Sequence, residues 1–315
     1  VQADFPYNLV PMRYPEGLML LVNRRFCLFV LLSSVYFVIF SKQPIEILVL
    51  FKSKDGNNSQ YMRSIAITNQ KGGVAKTTTT VNLGACLAHL GKKVLLIDLD
   101  PQGNLSSWLG LDIHNLERSM FNVFLEEVYF EEILTKTCVE NLTLAPANVA
   151  LAGVERILAH EKGRDLILRK RLLPVVNKYD YIMLDCPPSL GLITINALTF
   201  VKEVFIPLET KVLALNGLVT LMNTVQVVKE RLNHNLEVTG IIACRFDSRT
   251  NLSNEVYNQI KERFKEKVFN SIVRENTRLA ECPISGKPIT LYAPDSPGAV
   301  DYMNLAKEML EREKI

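Results

Sequence analysis

The chain has 315 residues, 48% hydrophobic and 22% charged, with a net charge of +3. This is the balance of an ordinary globular protein long enough to bury a sizeable core. It excludes a strongly cationic nucleic-acid binder, so any contact with DNA must come from a local patch. The six cysteines (Cys27, Cys86, Cys138, Cys186, Cys244, Cys282) are never closer than 38 residues. That spacing offers no CxxC site for zinc, an iron–sulfur cluster or a redox disulfide, and it fits buried thiols in a reduced cytoplasm.

In chain order, residues 18–51 come first as the most apolar stretch. Its uncharged core, Phe26 to Phe40, is 15 residues long, short of the roughly 20 needed to cross a bilayer. Arg24 and Arg25 before it resemble the start of a signal peptide, but Ser41-Lys42-Gln43-Pro44 makes a poor cleavage site. A polar linker, KSKDGNNSQY, leads to Met62, where a globular pattern begins. Three readings are open for 1–61: sequence upstream of a true start at Met62, a membrane anchor, or a short accessory extension. The first residue being Val1 and the clean pattern from Met62 favour the upstream reading, with 62–315 as the functional domain.

From Met62 onward, short aliphatic runs predict buried parallel strands at Ser64–Thr68, Lys93–Asp98, Leu142–Ala145, Tyr181–Asp185, Val204–Leu208, Val238–Cys244 and Val268–Ile272. Helical patterns lie between them, including Thr77–Leu90, Leu215–Leu232 and Leu252–Lys267. Alternation of this kind predicts a single α/β domain, a mostly parallel twisted sheet with helices on both faces.

Between the first strand and the first helix lies NQKGGVAKTTTT, residues 69–80. A helix N-terminus there points backbone N–H groups and a partial positive charge at an anion. Lys76 is placed to reach β- and γ-phosphates and the Thr77 hydroxyl to hold Mg²⁺. The usual pattern GxxxxGK[ST] asks for glycine at 70 and 75, where this chain has Gln70 and Ala75, and its glycines are Gly72 and Gly73. If position 75 needs φ > 0, its methyl group costs roughly 1–2 kcal/mol. Lys71 is surplus to cradling a phosphate in its own subunit. It is either a solvated turn residue or a group that crosses a dimer to the partner's phosphates, as an arginine finger does in trans.

KGGVAKTT resembles the deviant Walker A pattern KGGxxK[ST] of the ParA/MinD ATPases, whose signature lysine has that cross-dimer role. DLDPQGN (98–104) resembles the family's switch I segment, and YDYIMLDCPPSLGLITINAL (179–198) its Walker B and switch II. RTNL (249–252) and ENTRLAECPISGKPITLYAPDSPGA (275–299) resemble the Soj-like, chromosome-partitioning ParA branch. The likeness covers essentially all of 62–315 and none of 1–61, and it implies a single P-loop NTPase domain that binds ATP and Mg²⁺.

On this resemblance, Lys71, Gly72, Gly73, Val74, Ala75, Lys76, Thr77 and Thr78 form the nucleotide loop. Lys71, Lys76 and Asp100 are the catalytic set, with Asp100 positioning the hydrolytic water. Thr77, Asp98 and Asp185 serve the metal, Asp185 as the Walker B aspartate and Asp98 as support for the metal shell. Arg249 and Arg278 match positions that contact DNA without reading sequence once two subunits have joined.

The function this implies is an ATP-dependent partition ATPase: a cytoplasmic, nucleoid-associated homodimer released from non-specific DNA when a ParB-like partner stimulates slow hydrolysis. The nearest rival is a MinD-like protein on a membrane. The tail YMNLAKEMLEREKI carries Glu308, Glu311 and Glu313, which suits a docked helix better than an anionic bilayer. No membrane partner is therefore expected unless 18–51 acts as an anchor. An electron-transfer relative would need a cysteine-bridged cluster, and Cys138 and Cys186 lack one's surroundings.

Overall fold

The computed structural model describes residues 62–211 and 214–313, with side chains from 217 in the second span, and the backbone of four earlier strands. By contact density the chain divides into two units, Val1–Gln60 and Tyr61–Ile315. In the first, Val10–Arg13, Met19–Asn23, Phe26–Leu31 and Ser34–Ile39 pair successively as an antiparallel sheet. The rest of 1–61, and with it much of the apolar stretch 18–51 on which the anchor alternative would depend, lies outside the described residues. No described helix is long and apolar enough to cross a membrane.

The second unit is built on seven strands: β1 (Arg63–Ile67), β2 (Val94–Asp98), β3 (Thr135–Lys136), β4 (Leu142–Ala145), β5 (Tyr181–Asp185), β6 (Glu203–Glu209) and β7 (Glu237–Cys244). Their order across the sheet is β7-β6-β1-β5-β2-β4-β3, parallel throughout except for β3 at the edge. Successive side chains on a strand point to opposite faces, and here both faces are apolar. Ile65 and Ile67, Val94 and Leu96, Tyr181 and Met183 enter one core. Ala66, Leu95, Ile97, Ile182 and Leu184 enter the other. A sheet covered on both sides has no reason to alternate apolar with polar, which is why its strands were legible as continuous runs.

The first core is closed by α1 (Lys76–His89) and the last helix, α7 (Pro297–Glu311). The second is closed by α3 (Leu192–Phe200), α4 (Ala214–Arg231) and α5 (Asn251–Phe264). Two shorter helices, α2 (Asn104–Trp108) and α6 (Thr277–Ser285), pack against each other near α1. The tail is a docked helix, as its acidic pattern suggested. Ser296 caps α7 by accepting from the Ala299 N–H, Pro297 opens it, and Tyr302, Leu305, Ala306 and Met309 are buried.

One expected strand is absent. Val268–Ile272 touches β7 through a single bridge, Val268 opposite Ile241. The N–H groups of Asn270 and Ser271 donate instead to the Glu308 carboxylate, at 2.8 and 2.7 Å, and are lost to a ladder. Sequence also missed β3, whose two residues carry no apolar run. The glycine in β7 has a packing cause. A Cβ on Gly240 would lie 2.6 Å from Phe205 and 2.7 Å from Phe269, two rings that meet edge to face at 5.3 Å.

At the strands' N-terminal ends, Arg63 binds Glu203 through two bonds of 2.7 Å and Glu313 through one of 2.8 Å. Thr239 donates to the same Glu203 at 2.7 Å, and the Tyr181 hydroxyl donates to Glu313. This network ties β1, β5, β6 and β7 to the chain's tail, at the end of the sheet away from the site described next.

Candidate nucleotide-binding site

The carboxyl ends of β1, β2 and β5 deliver the site. In an open α/β sheet ligands bind there, and the register sets Asp98 and Asp185 side by side on neighbouring strands. Between β1 and α1 the loop is fixed at its entry by buried Asn69, whose Nδ2 donates to the Pro207 carbonyl at 2.8 Å. Its Oδ1 accepts from the Lys71 N–H at 3.0 Å. Gly73 and Ala75 both have positive φ, +74° and +66°. Position 75 therefore does hold the left-handed conformation, and its methyl stores roughly 1–2 kcal/mol of strain. Val74 is buried beneath. Ala75 caps α1 with no side-chain bond, and the first turn holds no acidic residue, so its free N–H groups and dipole address whatever lies in the loop.

Lys76 is only 8% exposed. Its ammonium donates to the Lys71 carbonyl at 3.3 Å, and among the described residues no carboxylate lies within ion-pair distance. Burial lowers its pKa. Asp185 and Asp100 oppose that shift from beyond ion-pair distance, yet a buried cation bonded to a single carbonyl is still short of negative charge. Beside it, Thr77 Oγ1 donates to Asp185 Oδ2 at 2.6 Å and Thr80 Oγ1 to Asp185 Oδ1 at 3.3 Å. Burial, and then the neighbouring Asp98, pushes the Asp185 carboxyl well above the usual carboxylate range. A divalent cation would relieve that crowding. An anion for Lys76 and a cation for Asp185 and Thr77 are the two halves of a metal–nucleotide, and the residues fit one.

Asp98, fully buried, turns its side chain into its own loop. Oδ1 accepts from the Asp100 N–H at 3.2 Å, and Oδ2 from the Ser106 N–H at 2.9 Å and hydroxyl at 2.7 Å. It thereby fixes the turn that presents Asp100. Asp100 lines a cavity of about 860 Å³ together with Gly72, Gly73, Ala75, Lys76, Thr77, Thr78 and Pro188. That volume is in the range of small-molecule sites.

The far wall was missed by sequence reasoning. It is made by Arg245 and residues 273–277. Arg245, just past β7 with φ +49°, donates to Glu209 at 2.8 Å, to Glu275 at 3.1 Å and to the Gly73 carbonyl at 3.4 Å. Its place, a charged residue at a strand's carboxyl end like Asp98 and Asp185, is the signal that could have found it. Trp108 lines the same cavity and donates to the Lys287 carbonyl at 3.0 Å, which ties the end of α2 to the segment after α6.

Two predicted sets stand apart from this cavity. Lys71 is half exposed and points to Glu209 Oε2, 3.2 Å away, on its own subunit. Arg249 is 86% exposed and paired twice with Asp247, at 2.8 and 2.9 Å, and Arg278 pairs with Glu281 at 2.9 Å. Neither arginine lines the cavity. Of the thiols described, Cys86, Cys186, Cys244 and Cys282 are buried, and Cys138 is exposed against expectation. No cluster of His, Cys, Asp and Glu suited to a resident metal occurs among the described residues.

A glycine-bearing loop between strand and helix, with a buried lysine and a strand-end aspartate bound to the loop's threonine, defines a P-loop NTPase. The family described as AAA domain matches residues 62–238. The sporulation initiation inhibitor protein Soj of Bacillus subtilis is 48% identical over 245 residues, spanning 78% of this chain and 97% of that protein. The chromosome partitioning protein ParA of Myxococcus xanthus is 43% identical over 251 residues, 80% of this chain and 89% of that one. Among solved structures, the cobyrinic acid a,c-diamide synthase of Mycobacterium smegmatis with an ATP analog and magnesium bound superimposes with a TM-score of 0.71. It is 36% identical and covers 80% of this chain and 96% of its own. The chain belongs to the Soj/ParA family of ATPases.

Proposed function

We propose that this ATPase is a partition protein that pairs on ATP and Mg²⁺, binds DNA non-specifically as a dimer and is released when a ParB-like partner stimulates its otherwise slow hydrolysis. The observation that carries the reading is the second lysine. Lys71 sits at the lip of the loop, half exposed, with its ammonium outside its own cavity, where a second copy could receive it. Gly72, Gly73, Val74, Ala75, Lys76, Thr77 and Thr78 would hold the phosphates, and Thr77 and Asp185 the metal, which supplies charge neutralisation for phosphoryl transfer. Asp98 acts through the turn it fixes, and Asp100 holds the water. Arg249 and Arg278 are the DNA contacts; their acidic neighbours Asp247 and Glu281 would yield them to phosphates of higher charge density. The similarity to Soj and ParA proteins supports the partition assignment and a cytoplasmic, nucleoid-bound location. We further propose that 62–315 is the working unit and that 1–61 is not needed for it.

The test is sedimentation of the full chain with non-specific duplex DNA or anionic liposomes, each with ATP or ADP, repeated with residues 62–315 alone. The expected result is ATP-dependent binding to DNA by both, lost in Lys71→Ala and Arg249→Ala. Binding to liposomes but not DNA would overturn the reading in favour of a MinD-like, membrane-bound protein.

A further inference from the structure

Glu209 ends β6 with its side chain only 5% exposed, and three cations close on it. Oε1 accepts from Arg245 Nη1 at 2.8 Å. Oε2 receives two amines, Lys71 Nζ at 3.2 Å and Lys211 Nζ at 3.1 Å. Burial raises the carboxyl's pKa, and the cations more than offset this, holding it below its usual range. A buried carboxylate needs a counter-charge, but Arg245 and one amine already supply it. The second amine on the same oxygen is what needs explaining.

The explanation lies in the different freedom of the two lysines. Lys211 follows Glu209 by two residues, and its N–H donates to the Glu209 carbonyl at 2.8 Å, so it stays nearby whatever happens. Lys71 belongs to the nucleotide loop and, to reach a second copy, has to leave. We infer that Glu209 is a latch for Lys71 and that Lys211 is the cation that takes its place. In the free subunit Lys71 rests on Glu209 Oε2. When two copies pair over nucleotide it departs, and Lys211 with Arg245 keeps the carboxylate neutralised. Because Arg245 also reaches the Gly73 carbonyl, the latch and the loop share a member. The inference rests on Lys71 acting across a dimer, and it adds a positioning residue, Glu209, that sets how readily the dimer forms.

The latch is shallow, because a half-exposed ion pair is worth little in water. Breaking one in each subunit shifts dimerisation by about three- to tenfold. The experiment is sedimentation velocity of the full chain over a range of concentrations with Mg²⁺ and ATPγS or with no nucleotide. The variants are Glu209→Gln, Lys211→Ala, their combination, and Lys71→Ala. Glu209→Gln frees Lys71 and lowers the dimer dissociation constant by about three- to tenfold. Lys211→Ala leaves the carboxylate dependent on Lys71 and raises the constant by a similar factor. In the Glu209→Gln background Lys211→Ala changes nothing further, a non-additivity that a merely structural role would not produce. Should Glu209→Gln fold poorly, Lys211→Ala alone still decides, since its fluorescent-ATP affinity as a monomer stays at the wild-type value while its dimer weakens. Loss of the dimer in Lys71→Ala with no effect of the other variants would overturn the latch and leave the cross-dimer lysine standing. A Lys71→Ala protein that dimerises like the wild type would overturn both.

Discussion

Asp100→Ala is expected to lower ATP turnover by about 10²–10⁴-fold, the range of a lost positioned acid–base group, while ATP binding and the ATP-dependent dimer persist. Asp100 stands at the cavity wall, in the turn that Asp98 anchors through the Asp100 N–H. Among the described residues its carboxylate accepts only from the Gln102 N–H, at 3.0 Å, so it is free to engage water. Deleting it leaves the Asp98–Ser106 bonds and the Lys76 and Thr77 sites intact, so the loss falls on chemistry and not on folding or binding. Steady-state phosphate release together with fluorescent-ATP binding separates these. Unchanged turnover, or lost ATP binding, would remove Asp100 from its assigned role.

Arg63→Ala is expected to destabilise the protein by about 3 kcal/mol, the low end for breaking a buried ion pair, because the two side chains keep 19% and 16% exposure. The cost lies less in the lost attraction than in what remains. Among the described residues Glu203 keeps only the Thr239 hydroxyl, and Glu313 loses its cation and is left with the Tyr181 hydroxyl. The midpoint of urea unfolding reads this directly, and Glu203→Gln in the Arg63→Ala background should recover part of it. Since the network lies at the other end of the sheet from the nucleotide, ATP affinity of the folded variant stays at the wild-type value. A midpoint unchanged in Arg63→Ala would mean that water already serves these charges.

These two residues mark what the sequence could reveal. Asp100 was found because its signal is local: DLDPQGN, directly after an aliphatic run, resembles the family's switch I segment, and the resemblance implies its role. Six strands and three of the long helices, α1, α4 and α5, followed from local periodicity. Arg63 could not be assigned a role, since its partners lie 140 and 250 residues away in the chain and nothing in a run of five residues points to them. The absent strand at Val268–Ile272 failed for a related reason. Its propensity for a strand was overridden by Glu308, a residue of α7 that captures the N–H groups a ladder would need. Arg245 fell between the two cases, legible by position but silent by motif. The resting place of Lys71 on Glu209 was beyond reach, because the motif says what the lysine is for and not where it waits.

The central claim is that Lys71 serves the other subunit's nucleotide, and mixing two inactive full-length variants tests it most directly. Lys71→Ala lacks the crossing lysine but keeps Asp100, whereas Asp100→Ala keeps the lysine but cannot position water. In a mixed dimer the lysine of the second reaches the intact Asp100 site of the first. With duplex DNA and Mg²⁺–ATP present, the mixture is therefore expected to release phosphate well above the sum of the two variants measured alone. Turnover no greater than that sum, with mixed dimers verified by differently tagged subunits, would contradict the account.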